Sequence, residues 1–162
     1  TSTIMFSQSF YDLNIKGIEG DNINFSDFKG KYVLVVNVAS RCGYTQQYDG
    51  LEKLYQKYMN LIVLGIPSNQ FANQEPNSET EILQFCTDKY NVSFPMTSKI
   101  KVKGKLKHPV YQWLTEKEKN QLDDFRVSWN FNKFLISPDG NLIKHFTSKI
   151  KPLSKNITSL IK

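Results

Sequence analysis

The sequence predicts an α/β domain: a central mixed β-sheet flanked by helices and preceded by an N-terminal β-hairpin. Three observations carry this expectation. Residues 31–39 and 61–66 are short continuous apolar runs, the signature of strands buried on both faces. A stretch of helical periodicity follows each run. Two later strand-like runs, 131–136 and 142–146, are joined by Ser137-Pro138-Asp139-Gly140, a type I turn sequence.

At the front of the chain, Tyr11, Leu13 and Ile15 alternate as in a short strand, and Gly17 and Gly20 punctuate a turn before Ile23 and Phe25. From Thr45 to Met59 the residues Leu51, Leu54, Tyr55, Tyr58 and Met59 follow helical spacing. Pro67 closes the second apolar run, and a polar loop follows from Ser68 to Asn77. Ser78-Glu79-Thr80-Glu81 is a capping box that opens a helix reaching Tyr90, with Ile82, Phe85 and Cys86 on one apolar stripe. His108-Pro109 begins a short helix carrying Val110, Trp113 and Leu114, with proline at a tolerated first-turn position. A last helix is expected after Pro152, with Leu153, Ile157, Leu160 and Ile161 on its inner face. The order βαβα, then a hairpin and a terminal helix, is that of a thioredoxin-like domain, with parallel strands in its alternating half.

The chain of 162 residues fits one domain, residues 1–162, with enough length for one substantial core. Its 40% hydrophobic and 13% aromatic content excludes a disordered polymer. The net charge of +6 raises a nucleic-acid reading, but no RNP-like, zinc-finger or helix-turn-helix pattern accompanies it. Lys99, Lys101, Lys103, Lys105 and Lys107 alternate as on the solvated side of an exposed strand and turn. Mild basicity of this kind suits acidic protein partners or anionic lipid surfaces instead. No apolar stretch approaches the roughly 18 residues that span a bilayer, and no signal-peptide pattern opens the chain. Two cysteines do not make a secreted disulfide framework, so a reducing, cytoplasmic setting is expected. His108 and His145 lack ligand spacing to either cysteine, and no metal is expected.

Cys42 stands where the first apolar run gives way to a helix. Amide dipoles of a first helical turn would be aimed at its sulfur and favour the thiolate, the reactive form. Arg41 adds positive charge. A lone cysteine is more often a small buried hydrophobe; its place at a strand end beside Gly43 points to reactivity. In Cys42-Gly43-Tyr44-Thr45 a threonine occupies the second position of a Cys-x-x-Cys pair. Cys42 therefore cannot be half of a vicinal dithiol.

Three blocks in order then resemble the glutathione peroxidase family. They are Asn37-Val38-Ala39-Ser40-Arg41-Cys42-Gly43-Tyr44-Thr45; Pro67-Ser68-Asn69-Gln70-Phe71 with Gln74-Glu75-Pro76; and Trp129-Asn130-Phe131-Asn132-Lys133-Phe134-Leu135. The resemblance runs from about Ser7 to the C-terminus. It implies a catalytic tetrad: Cys42 as the residue that attacks peroxide, with Gln70, Trp129 and Asn130 as partners. Neutral donors of this kind can stabilise charge as it moves from sulfur to the leaving oxygen.

The run from Phe85-Cys86-Thr87 to Phe94-Pro95 resembles family members that resolve the oxidised cysteine with a second one on this helix. For Cys86, packing alone predicts an inert buried thiol. The resemblance implies a Cys42 sulfenic acid, then a Cys42–Cys86 disulfide, then reduction by an external dithiol. A disulfide needs Cα atoms within about 7 Å, so the 78–90 helix is expected to unwind locally during turnover. Ser68 stands where the second block often carries a cysteine, and Asn132 fills a variable position. The short stretch from His108 to Trp129 lacks the insertion of tetrameric relatives, which favours a monomer.

The expected function is a thiol peroxidase that reduces hydrogen peroxide and organic or lipid hydroperoxides. Thioredoxin is favoured over glutathione as reducing co-substrate, and no bound cofactor is expected. A peroxide sensor passing its oxidation to a partner would use the same cysteines. A non-catalytic binding module on the same scaffold would not need the tetrad.

Overall fold

The computed structural model describes residues 8–162. The chain enters through a 3₁₀ turn, Phe10–Asp12, whose N-cap Ser9 accepts from the Tyr11 N–H. Strands β1 (Asn14–Lys16) and β2 (Asn22–Asn24) then pair as an antiparallel hairpin. The expected hairpin is present, but Tyr11 belongs to the turn before it. Its hydroxyl donates to the Pro138 carbonyl at 2.7 Å and ties the N-terminus to the distant 137–140 turn. Gly140, at φ +83°, lets that turn form, and a Cβ there would come within 2.6 Å of the Tyr11 ring.

The main sheet holds β3 (Tyr32–Val38), β4 (Leu61–Pro67), β5 (Lys133–Ile136) and β6 (Leu142–Phe146), in the order β4-β3-β5-β6. β3 and β4 are parallel, while β5 runs antiparallel to β3 and β6 to β5. The mixed, thioredoxin-like sheet expected from the element order is therefore present.

Both faces are covered, and the side-chain alternation of a strand decides which residue goes where. Val33 and Val35 of β3 share one core with Phe134, Trp113, Tyr111 and Phe10. Leu34, Val36 and Val38 share the other with Leu51, Leu54, Ile82, Cys86 and Ile157. The second face is covered by α1 (Gln47–Lys57), α2 (Glu79–Tyr90) and α5 (Lys155–Thr158), and the first by α3 (Pro109–Thr115), beside the single turn α4 (Lys117–Asn120).

Helix boundaries follow local chemistry. Ser78 and Glu81 form the expected capping box at α2, and Asn91 closes it in the left-handed conformation. The expected helix after Thr45 begins later, at Gln47, and stops before Tyr58. Met59 lies beyond that end and is 93% exposed, so it has no place on the inner stripe. The last helix is a single turn; Ile157 and Ile161 face inward, but Leu153 precedes it and is 44% exposed. Residues 99–107 form a loop rather than a strand. Lys101, Lys103 and Lys105 are solvated there. Lys99 instead donates to the Glu75 and Asn77 carbonyls, and Lys107 to Thr115 and Glu116.

Candidate active site

The register of the parallel pair places Val38 opposite Pro67, so both strands end at the same edge of the sheet. The chain returns to that edge just before β5, where the Phe131 N–H donates to the Asn37 carbonyl at 2.6 Å. Three segments converge there: 39–46, 68–77 and 129–132. Clefts outside the carboxyl ends of parallel strands are where α/β sheets commonly hold ligands.

Cys42 is half-buried and its thiol is free. The Thr45 hydroxyl accepts from the Cys42 N–H at 2.9 Å and donates to the Ala39 carbonyl at 2.8 Å, bracing the loop from both sides. The Tyr44 N–H points at the Cys42 sulfur, 3.4 Å away. Because α1 starts only at Gln47, the amide at the sulfur belongs to a preceding turn and not to the first helical turn.

The structure does not bring Gln70 into this cluster. Its Oε1 accepts from the Val102 and Lys103 N–H groups at 2.6 and 3.0 Å, and its Nε2 donates to the Lys103 carbonyl. Gln74 is the glutamine of this loop that bonds both neighbouring segments. Ala72 and Asn73 both adopt the left-handed conformation, at φ 54° and 53°, and turn the loop back on itself. Gln74 then accepts the Arg41 N–H on its backbone carbonyl at 3.0 Å, and its Oε1 accepts from Asn130 Nδ2 at 2.8 Å. The sequence signal was present in Gln74-Glu75-Pro76, but two glutamines four residues apart in a loop do not reveal which one turns inward.

Asn130 is tied to that loop through Gln74, and Trp129 packs against Phe71 of the same loop. The Trp129 ring packs on Phe71 with centroids 5.6 Å apart, and the indole borders a cleft shared with Tyr44. Asn130 is fully buried and its Oδ1 has no partner among the described residues. Phe131 holds a left-handed φ of 60°, a strained state for an aromatic residue. Its ring is anchored edge-on against Tyr48 at 5.5 Å. The Trp129 indole N–H and the Gln74 amide N–H groups make no hydrogen bond within the described residues, and both are neutral donors.

A buried polar network fixes this turn, and the sequence reading passed over most of it. Asn37 and Asn132 both donate to the Trp129 carbonyl, at 3.0 and 2.9 Å. Ser148 donates to the Asn130 carbonyl and accepts from Asn132. Neutral His145, whose pKa burial lowers, donates to Asn132 Oδ1 at 2.7 Å. Lys133 is fully buried with only neutral acceptors, Gln47 Oε1 and the Ile150 carbonyl at 2.6 Å each and the Ser148 carbonyl at 3.4 Å. Burial pulls its ammonium down to about 7. A polar residue inside each apolar run, Asn37 in one and Lys133 in the other, was the available clue.

Cys86 is fully buried in mid-helix, in the core cluster against which Cys42 also packs. Burial pushes its thiol up to about 11, the neighbouring Tyr48 hydroxyl pulls it back, and the Glu75 charge raises it further. That hydroxyl lies against the thiol without forming a well-aligned bond.

Comparison with known proteins follows the same lines. A sequence profile of the family described as Glutathione peroxidase matches residues 10–115. The glutathione peroxidase-like peroxiredoxin gpx1 of Schizosaccharomyces pombe is 51% identical over 156 residues, covering 94% of this chain and 98% of that protein. The crystal structure of Trgpx in apo form superposes with a TM-score of 0.71 at 39% identity, covering 91% of this chain and 90% of the other. A thioredoxin family thiol:disulfide interchange protein from Chlorobium tepidum shares the fold at a TM-score of 0.62 and 14% identity, over 94% of this chain and 91% of its own.

Proposed function

The chain belongs to the glutathione peroxidase family, and we infer that it is a cysteine peroxidase acting through Cys42 and resolved by Cys86. The observation that supports this reading is the half-buried Cys42 thiol with the Tyr44 amide at its sulfur, in a segment bonded through Arg41 to Gln74, which in turn holds Asn130.

In the proposed cycle the Cys42 thiolate attacks one oxygen of a hydroperoxide. The S–O bond forms, the O–O bond breaks, and the leaving oxygen departs as alcohol or water once protonated. Charge moves from sulfur to that oxygen, and fixed dipoles of Gln74, Asn130 and Trp129 stabilise it with little reorganisation. The Cys86 sulfur then displaces hydroxide from the Cys42 sulfenic acid and forms a disulfide. A dithiol of the thioredoxin kind reduces that disulfide by exchange, for which an intramolecular disulfide is the natural substrate. Because Cys86 is packed in mid-helix, the step requires α2 to open near its C-terminal turn.

The substrate range proposed includes hydroperoxides carried on anionic lipid surfaces. In support, Lys103 Nζ lies 4.7 Å over the Phe71 ring, which packs on Trp129, and Leu106 of the Lys103 loop is 75% exposed. The protein is proposed to act as a monomer.

Peptide mapping after one equivalent of peroxide tests the cycle, with a Cys42–Cys86 linkage as the expected result. Oxidation of Cys42 with Cys86 left free in every molecule would refute it. Steady-state turnover with a thioredoxin system against glutathione and its reductase tests the reductant, with faster turnover expected for thioredoxin.

A further inference from the structure

Tyr48, Glu52, Tyr55 and Gln56 fall at helical spacing on one face of α1, and the segment leaving α2 lies along that face. Tyr90 packs on Tyr48 with ring centroids 5.5 Å apart, and Phe94 meets Tyr55 edge-on at 6.2 Å. Between them the Glu52 carboxylate clamps Ser93: the Ser93 N–H donates to Oε1 at 2.8 Å and its hydroxyl to Oε2 at 2.6 Å. Gln56 Nε2 donates to Glu52 Oε2 and to the Ser93 hydroxyl oxygen, at 2.7 and 3.0 Å. Burial pushes the Glu52 carboxyl up, but the hydrogen bonds from Gln56, Ser93 and the Phe94 backbone outweigh it and hold it below its ordinary value. The clamp is therefore charged at neutral pH, and two-pronged bonds to a charged group are the stronger kind.

The clamp sits at the end of the segment that must move for Cys86 to reach Cys42. The Val92 N–H donates to the Cys86 carbonyl at 3.2 Å, and the Asn91 N–H bonds the Cys86 and Thr87 carbonyls. Freeing Cys86 from the helix therefore means displacing residues 91 and 92, directly before Ser93. Lys89 and Tyr90 share a cleft of about 330 Å³ with Cys42, so the end of α2 already faces the residue that attacks peroxide. Cys86 lies one turn behind Tyr90 and is fully buried.

We propose that Glu52 is a positioning residue for the resolving step: through Ser93 it latches the end of α2 against α1 and keeps Cys86 buried until that segment swings toward the oxidised Cys42. The inference rests on the assignment of Cys86 as resolving residue and adds what sets the rate of its step. With the latch shut, the Cys42 sulfenic acid has no thiol to condense with. Once it opens, the Cys86 sulfur bonds to the Cys42 sulfur, the S–O bond breaks, and the thiol proton leaves with the hydroxide as water. A second hydrogen peroxide competes for the same sulfenic acid: it gives one oxygen to the sulfur, leaves as water and turns Cys42 into a sulfinic acid. The strength of the latch thus divides Cys42 between a recyclable disulfide and an irreversible product.

The test is a single turnover with hydrogen peroxide, at a concentration where loss of the Cys42 thiol precedes the disulfide. Rapid quench, thiol alkylation and mass spectrometry then time the two steps separately. Glu52→Ala should form the Cys42–Cys86 bond about fivefold faster than the wild type, with the first step unchanged. Ser93→Ala, at an exposed position, should give a smaller gain, and the double variant should be no faster than Glu52→Ala alone. At excess peroxide Glu52→Ala should also accumulate less sulfinic acid. Lys53→Ala removes the exposed Asp49–Lys53 ion pair of the same helix and should change neither step. An unchanged or slower disulfide in both Glu52→Ala and Ser93→Ala overturns the inference. So does an equal gain in Lys53→Ala, which would mark a general loosening of α1. A wild type that never forms the Cys42–Cys86 bond would instead remove the resolving assignment itself, and this inference with it.

Discussion

Asn130 Nδ2 donates to Gln74 Oε1 at 2.8 Å, joining the turn before β5 to the loop after β4 beside the Cys42 segment. The bond spends the Gln74 oxygen and leaves its N–H groups as donors. Gln74→Ala should lower the second-order rate with hydrogen peroxide about a hundredfold, the scale of losing one preorganised donor. Gln70→Ala should leave that rate nearly unchanged and cost about 1 kcal/mol of stability, since its amide braces the 102–103 backbone. Stopped-flow peroxide kinetics paired with denaturant melts separates the two. A larger rate loss at Gln70 would reverse the assignment.

The end of α2 should control how fast the disulfide forms. Asn91 sits at φ 51°, and its N–H bonds the Cys86 and Thr87 carbonyls. Asn91→Ala places a residue less tolerant of that conformation at the cap, at about 1 kcal/mol. If the helix must open there, resolution should speed up by up to about fivefold. Hydrogen exchange should also rise across residues 83–91 in the oxidised protein. A slower or unchanged disulfide rate would place the opening elsewhere.

Stability should rise with pH just above neutrality because of Lys133. Its folded pKa is depressed to about 7, while an unfolded lysine titrates near 10.4, roughly the ordinary value. Between those values the unfolded chain holds a proton that the folded chain lacks, so raising the pH favours the fold, by at most about 1.4 kcal/mol per unit. Below pH 7 both states are protonated and the contribution stays at its least favourable. Cys86 acts oppositely: with its folded thiol near 11, the unfolded thiol ionises first above roughly pH 8.5, and stability then falls. Urea midpoints from pH 7 to 8.5 should therefore climb in the wild type and flatten in Lys133→Met. An equal slope in both would show that Lys133 stays charged in the fold.

Asn132 should matter to chemistry through the buried network it holds. It donates to the Trp129 carbonyl and to Ser148, which in turn bonds the Asn130 carbonyl. Asn132→Ala leaves those buried groups short of a donor, at about 1–3 kcal/mol, and should slow the peroxide step and shift tryptophan emission. Unchanged kinetics with unchanged emission would show that Asn37 alone holds Trp129.

Much of the fold was legible because its signals are local. The apolar runs of β3 and β4, the capping box of α2 and the Ser137–Gly140 turn depend on near neighbours in sequence. What failed was equally local in origin. Helical spacing continued through Met59, but the helix stops at Lys57 and leaves that side chain in water. The alternation of Lys99–Lys107 looked like a strand, yet Lys99 turns inward to cap the carbonyls of Glu75 and Asn77.

The sequence by itself determined that the chain builds a thioredoxin-like sheet with a cysteine at the end of its central strand, and that the blocks around Cys42, Gln70 and Trp129 resemble one family in order. Strand and cap patterns are properties of neighbouring residues, so they survive without a structure. Only the tertiary structure decided which glutamine faces Asn130, that the amide at the Cys42 sulfur comes from Tyr44, and that Glu75 and Lys133 are buried. Those outcomes depend on the left-handed turn at Ala72 and Asn73 and on close packing across the sheet edge. Side-chain direction there is set by contacts between segments far apart in the chain, which no local pattern records.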